Sequence, residues 1–514
     1  MDKNIAKIYS AELEGIESRL IEVEADINVG LRAFNIVGLA DKALNEAKER
    51  VNSALKNSGV KPPNRDNRKI TINLAPADIK KTGSQYDLAI ALGYLVASKQ
   101  MQEFETKDKI FLGELALDGS VRAINGSLSA AQMAEKMNFK YIFLPEENSN
   151  EAAVIENIDV IPVRNLSDVI LFLEKKINIT PKIFKENHFI ENTNIADFSE
   201  IKGQENAKRA LIISAAGGHN LLMVGPPGVG KSFLAQAMIG ILPDLTKQES
   251  IEQTKILSAI GQSPKGLIYK RPFRSPHQSI SSVALIGGGG DPKPGEISLA
   301  HNGVLFLDEL PEFPKNVLES LRQPIESGMI NIARAKSNLT FPAKFTLITA
   351  MNPCPCGYYG SSEKECKCSI YEIIKYQKKI SGPLLDRIDL QVRVKSFKIE
   401  ELRKNKTDES ANINDEIKTK IKKTREIQRK RFVKNNINKQ INSEMTSREI
   451  DNLINFDKSA INFLEQIDKN WLSPRSYYKI LKVSRTIADL EERDFVTAKD
   501  IAEAFSYRLK DEFL

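Results

Sequence analysis

No stretch of this 514-residue chain approaches the roughly 18 consecutive apolar residues that a membrane span requires. The opening residues, Met1-Asp2-Lys3-Asn4-Ile5-Ala6-Lys7, meet charge instead of an apolar core, so no signal peptide is expected. Cysteine is scarce, with four in the whole chain, too few for a disulfide scaffold. The expectation is a reduced, cytoplasmic protein without a membrane partner. No segment repeats at a fixed period, which excludes a solenoid. With 41% hydrophobic and 27% charged residues, the chain is neither fibrous nor wholly disordered. Its length suggests roughly three domains, at about 150 residues each.

The net charge is +7. An excess of this kind suits a polyanion partner. It equally suits drift in a chain rich in Lys, Asn and Ile, and charge alone favours neither.

Residues 1–176 alternate between strand and helix patterns. Ala40 to Gly59 has the helical spacing Leu44, Ala47, Val51, Leu55 and a glycine stop. Lys69 to Leu74 alternates as a strand, and Tyr86 to Ala97 reads as an apolar helix. Ile110 to Leu117 and Ser120 to Ile124 flank Asp118-Gly119, the signature of a hairpin. Tyr141 to Leu144 and Val160 to Val163 are further strands. The rhythm fades over 177–196, read as a linker, returns over 197–399, and becomes helical and charged over 400–514.

The most informative motif is Gly225-Pro226-Pro227-Gly228-Val229-Gly230-Lys231-Ser232. It follows the apolar strand Leu221 to Val224 and opens the helix Phe233 to Ile241. In that setting, glycines let backbone N–H groups turn inward around phosphates, and the helix N-terminus adds its positive end. Lys231 is then expected to reach the β- and γ-phosphates of ATP, and Ser232 to ligate Mg²⁺. The apolar run Gly303 to Leu307 ends in Asp308-Glu309, as a central parallel strand would. Asp308 is expected to hold Mg²⁺ through water and Glu309 to act as general base on the attacking water. A third strand, Phe345 to Met351, ends in Asn352. That residue either orients water beside the γ-phosphate or caps a turn before Pro353.

Several further stretches carry a resemblance: Arg271-Pro272-Phe273-Arg274-Ser275-Pro276-His277, the Gly287–Gly290 run, Ala350-Met351-Asn352-Pro353-Cys354-Pro355-Cys356-Gly357, Ser381 to Asp389 and Arg485 to Leu490. Nearly end to end, the chain resembles the ComM/YifB family of Mg-chelatase-like AAA+ ATPases. The resemblance implies an α/β fold: a P-loop AAA+ core with a C-terminal helical lid, preceded by a Lon-protease-like (S5 domain 2-like) α+β domain. It implies that Asn352 is the sensor-1 residue and Arg387 a finger reaching a neighbour's nucleotide, where a fixed guanidinium stabilises transition-state charge. Arg475 resembles the sensor-2 arginine of the lid. A finger acting on a neighbour implies a homo-oligomeric ring, a hexamer in similar machines. In the Lon-like domain, Gln85 stands where the nucleophilic serine would be, Ser84 is one residue out of register, and Leu128 replaces the activating lysine. The fold is expected without its peptidase pair.

The stretch Gly328 to Phe341 reads as a hairpin with Arg334 and Lys336 near its tip. In similar ATPases such a hairpin lines the ring's pore, making these two candidates for phosphate-backbone contact. From Lys418 to Lys439 there are ten Lys or Arg and one acid, Glu426. This is either a solvated lid helix or a salt-sensitive contact with DNA. All four cysteines, Cys354, Cys356, Cys366 and Cys368, fall in one short loop, 354–368. Clustered thiols in a reduced protein suit a structural tetrahedral Zn²⁺ site, although the C-x-C spacing is tighter than usual, and a free-thiol or redox loop remains open.

The resemblance implies an ATP-hydrolysing ring motor acting on single-stranded or branched DNA, as in branch migration during recombination or natural transformation. The alternative is an ATPase subunit driving metal insertion into a porphyrin. A Lon-like peptidase is disfavoured by Gln85 and Leu128.

Overall fold

The computed structural model describes residues 5–39, 41–65, 67–184, 196–262, 266–290, 292–333, 338–361, 364–396, 413–467 and 473–508. Two compact units result, Met1–Ile190 with Thr246–Tyr269, and Glu191–Leu245 with Lys270–Leu514.

The first unit is built on seven strands in the order Ala33–Val37, Arg68–Ala75, Glu17–Val29, Ile5–Glu14, Lys109–Phe111, Tyr141–Pro145, Asp159–Val163. Ile5–Glu14 and Glu17–Val29 form an antiparallel hairpin, while the strands from Lys109–Phe111 onward are added in parallel. Period-2 alternation puts Ile8, Ile21, Val23, Ala25, Ile70, Ile72 and Leu74 in the core. The helix expected over 40–59 spans Lys42–Asn57, capped by the Asp41 carboxylate accepting from Leu44 N at 2.8 Å. Its spaced positions Leu44, Ala47, Val51 and Leu55 are fully buried. Arg50 on the same helix reaches the buried Asp87 at 2.6 Å. Burial nevertheless pushes the Asp87 carboxyl up to about 6.

The Asp118-Gly119 hairpin is smaller than its sequence pattern suggests. Only Glu114–Leu115 pairs with Val121–Arg122, because Lys109–Phe111 is taken by the main sheet between Ile5–Glu14 and Tyr141–Pro145. The segment 246–269, expected inside 197–399, packs into the first unit. Its helix Lys247–Ala259 starts with a Thr246/Glu249 capping box. Ile251 and Leu267 join Leu128, Ala131, Ile155 and Val160 in one apolar cluster. Lys255 Nζ lies 2.6 Å from Glu17 and donates to Gln132 at 2.8 Å. Ser258 donates to the buried Glu151 at 3.1 Å, and burial pushes that carboxyl up to about 7. No periodicity within 246–269 reveals which unit covers its apolar face.

Leu128 is fully buried, and Gln85 Nε2 donates to Glu12 at 2.9 Å. Ser84 donates to Glu114 and Lys81 to the Pro76 carbonyl, so serine and lysine are not joined.

The second unit holds a five-stranded parallel sheet in the order Phe273–Arg274, Val304–Leu307, Thr346–Met351, Leu221–Val224, Leu390–Arg393. The three central strands are buried at every residue, hence their unbroken apolar runs. Because all strands run the same way, their C-terminal ends collect along one edge, where ligands of such sheets bind. Helices Ile413–Lys434, Lys458–Ile467, Pro474–Leu490 and Ala498–Ser506 follow. Their interior is organised by charge as well as by apolar packing. Asp489, fully buried, accepts from Arg485 Nη2 at 2.9 Å, Arg431 Nη1 at 3.0 Å and Asn442 Nδ2 at 2.8 Å. Removing one partner of a buried pair costs about 3–5 kcal/mol, so this network holds the helices in one register.

The basic helix is largely committed within its own unit. Lys418 pairs with Asp244, Lys420 with Glu491, Lys423 with Glu492, Arg431 with Asp489 and Lys439 with Glu449, while Arg425 donates to the Ala215 carbonyl. The hairpin expected over 328–341 is present as Met329–Ala333 paired with Asn338–Pro342. Arg334 and Lys336 lie outside the described residues.

Candidate nucleotide site

Three adjacent strand ends build the site. Leu221–Val224 delivers the loop 225–232, Val304–Leu307 delivers Asp308 and Glu309, and Thr346–Met351 delivers Asn352. They line one cleft of about 350 Å³ that includes Pro227, Gly228, Gly230, Lys231, Ser232, Asp308, Glu309 and Asn352.

The loop's conformation depends on its glycines. Gly228 and Gly230 have φ of +78° and +85°, which only glycine adopts without strain. Gly225 has a different constraint, since a Cβ there would lie 2.3 Å from the Val394 carbonyl oxygen. Val229 is buried against the core. Lys231 opens the helix Lys231–Ile241. Its Nζ donates to the carbonyls of Gly225 at 2.7 Å and Pro226 at 2.8 Å, and to Asn352 Oδ1 at 3.0 Å. Burial lowers its pKa to about 8, against the upward pull of Asp308 and Glu309.

Ser232 Oγ donates to Asp308 Oδ2 at 2.6 Å. This hydroxyl and carboxylate are the hard oxygen donors that suit Mg²⁺. Glu309 takes a left-handed backbone with φ of +51°, and its N–H donates to Asp308 Oδ1 at 2.9 Å. The turn keeps both carboxylates on the cleft, although they are consecutive. Asn352 does more than cap a turn before Pro353, because its side chain joins the strand end to Lys231.

Arg387 and Arg475 do not line this cleft. Both converge on Glu326, with N···O distances of 2.7 Å and 2.5 Å. Arg387 also donates to the Pro383 carbonyl at 2.6 Å. The two positive groups hold the Glu326 carboxyl below its usual range, against burial. Glu326, near the end of Arg322–Ser327, had no signal in the sequence.

The cysteines come together. Sγ atoms of Cys354 and Cys356 are 3.4 Å apart, Cys354 and Cys366 3.7 Å, and Cys356 and Cys366 3.6 Å. All four lie within 4.8 Å of one another. Tetrahedral Zn–S bonds of about 2.3 Å give S···S edges of about 3.8 Å, so the donor set fits that ion. The loop also touches the phosphate loop, since a Cβ on Gly357 would lie 2.6 Å from Pro227 Cδ. The glycine of Cys-Pro-Cys-Gly was readable, its contact was not.

A phosphate loop leaving the first core strand, with carboxylates and an asparagine at the next two strand ends, defines a P-loop ATPase of the AAA+ class. Comparison with known proteins narrows this. Residues 197–402 match the family model described as magnesium chelatase, subunit ChlI. Residues 23–148 match subunit ChlI of Mg-chelatase, and 411–508 match the ChlI C-terminal model. The chain is 41% identical over 510 residues to competence protein ComM of Haemophilus influenzae, covering 98% of this chain and 97% of that protein. It is 40% identical over 513 residues to the YifB protein of Escherichia coli, covering 99% and 98%. To the magnesium-chelatase subunit ChlI of Bigelowiella natans it is 23% identical over 228 residues, covering 39% and 56%. The chain belongs to the ComM/YifB family of Mg-chelatase-like AAA+ ATPases. That family implies ATP and Mg²⁺ as ligands, and the residues at the cleft fit both. Among the described residues, no helix is long and apolar enough to cross a membrane.

The lowered Lys231 pKa makes a measurable prediction. A polyphosphate in the loop favours the ammonium and raises the pKa again. Nucleotide binding near pH 8.5 should therefore take up a substantial fraction of one proton, falling to about zero near pH 6.5. Calorimetry in two buffers of different ionisation enthalpy reads this directly. Equal binding enthalpies in both buffers at the higher pH would contradict it.

Proposed function

We propose that the chain is an ATP-hydrolysing ring motor that acts on DNA, single-stranded or branched, in branch migration during recombination or natural transformation. The observation that carries the hydrolytic part is the joining of Lys231 to Asn352 and of Ser232 to Asp308 across one cleft. Backbone N–H groups of Gly228 to Lys231 bind the β-phosphate, and Lys231 leaves its loop carbonyls for the γ-phosphate. Bound Mg²⁺, held by Ser232 and through water by Asp308, supplies charge neutralisation at the phosphates. Glu309 takes the proton of the attacking water, and Asn352 orients that water. The DNA part is supported by full-length similarity to a protein named for competence, by the net charge of +7 and by the hairpin 329–342. The commitment of the basic helix 413–434 to partners in its own unit moves the expected contact toward that hairpin. Cys354, Cys356, Cys366 and Cys368 hold a structural Zn²⁺, with no ligand position left for water. A reduced tetrathiolate agrees with a cytoplasmic location.

A second reading, an ATPase subunit driving metal insertion into a porphyrin, is favoured by the ChlI family models. ATP turnover measured with no DNA, single strands, duplex and a four-way junction separates the two. The motor reading expects stimulation by at least one DNA form, weakening as salt rises. Turnover indifferent to every DNA form would favour the second reading.

Arg387 and Arg475 lie off the cleft of their own chain and both pair with Glu326, and Arg387 acts as a finger on a neighbour's nucleotide. The ring that this requires is a hexamer, as in similar machines. Lys231→Ala chains keep their arginines, and Arg387→Ala chains keep their phosphate loop. Each alone should be inactive, with turnover reduced by about 10³-fold for the arginine variant. Mixed, they should regain part of the wild-type rate. A mixture as inactive as its components, with assembly intact, would make Arg387 a structural partner of Glu326.

A further inference from the structure

The cysteine loop is tied to the nucleotide site at three places. Asn352 precedes Cys354 by a single proline, and the Cys354 side chain is fully buried. Gly357 has φ of +86°, and a Cβ there would lie 2.6 Å from Pro227 Cδ and 3.8 Å from Asn352 Cγ. The loop backbone therefore presses on the phosphate-loop wall beside the asparagine. Beyond Cys368, Ser369 caps the helix Ile370–Gln377. That helix turns back on the start of the loop. Gln377 Nε2 donates to the Pro353 carbonyl at 3.0 Å. Asn352 donates nothing to Lys231 but accepts from it at 3.0 Å.

Asn352 thus stands at the junction of a closed circuit. One arc is Pro353 to Cys368, and the other is the helix that returns Gln377 to the Pro353 carbonyl. Cys354 is buried, and Cys356, Cys366 and Cys368 are half-buried. Thiols at the two ends of that arc, Cys354 with Cys356 and Cys366 with Cys368, are the groups that can close it. A metal bound by all four ties the two ends of the arc together.

We propose that Zn²⁺ on Cys354, Cys356, Cys366 and Cys368 positions Asn352, so that metal occupancy sets the rate of ATP hydrolysis. This rests on the reading of the chain as a zinc-bearing ATPase and adds the coupling between the two sites. Gly357 and Gln377 are positioning residues, acting through Asn352 and the Pro353 carbonyl beside it without touching nucleotide. The metal holds the residue that orients water, so its loss lowers kcat more than it weakens nucleotide binding, for which the phosphate-loop N–H groups remain.

The test uses the full chain, isolated with zinc, stripped with a chelator and reloaded with zinc, its metal content measured at each stage. Stripping should lower kcat by about tenfold, the scale of lost outer-shell support at metal and active sites. ADP affinity should change by less than about threefold, and reloading should restore turnover. In Asn352→Ala protein the same stripping should lower kcat by less than about twofold, because the residue through which the metal acts is gone. Zinc-loaded Gly357→Val should also turn over slowly while keeping its metal, and this holds the test open if stripped protein unfolds. Equal kcat in loaded and stripped wild type, an equal fractional loss in Asn352→Ala, or normal turnover of zinc-loaded Gly357→Val would each overturn the coupling. Protein isolated without zinc would remove the metal reading, and loaded protein without turnover would remove the ATPase reading. Neither failure would be mistaken for a failure of the coupling.

Discussion

The hydrogen bond between Lys231 Nζ and Asn352 Oδ1, at 3.0 Å, joins the segments that follow two adjacent core strands, Leu221–Val224 and Thr346–Met351. The rest of the site is arranged around it. The lysine lies at the start of a helix, directly after a loop with φ values above zero at Gly228 and Gly230. The asparagine lies at the end of a strand buried at every residue. A partly buried ammonium is costly without partners, and here it borrows two carbonyls of its own loop until a phosphate replaces them. The site is therefore built before its ligand arrives, and binding exchanges one set of oxygen acceptors for another.

Two kinds of sequence signal were legible. The phosphate loop could be read because its glycines, lysine and serine are imposed by backbone geometry within eight residues. Asp308 and Glu309 could be read because a fully buried parallel strand is an unbroken apolar run, which makes the polar residues at its end conspicuous. The helix Lys42–Asn57 followed its 3–4 spacing closely. What escaped depends on contacts between distant segments. Nothing in Lys247–Ala259 says that its apolar side packs on Leu128 and Val160. Nothing near Lys109 says that its strand is claimed by the main sheet and withheld from the Asp118-Gly119 hairpin. Glu326 has no motif, and its importance comes from the two arginines that meet on it.

The electrostatics also separate two uses of basic residues. Along Ile413–Lys434, acids and carbonyls of the same unit already engage Lys418, Lys420, Lys423, Arg425 and Arg431. A run of charge in sequence is thus mostly internal wiring of the lid. Arg387 and Arg475 are different, since their two guanidinium groups share the single carboxylate of Glu326.

The central claim is that this cleft hydrolyses ATP through Glu309, with Lys231 serving ground-state binding. The most direct measurement compares Glu309→Gln with wild type for nucleotide affinity and for phosphate release in one Mg²⁺-containing preparation. The account predicts affinity within about threefold of wild type and turnover lower by roughly 10² or more, because the glutamate acts only on the attacking water. Turnover of Glu309→Gln at the wild-type rate would contradict it.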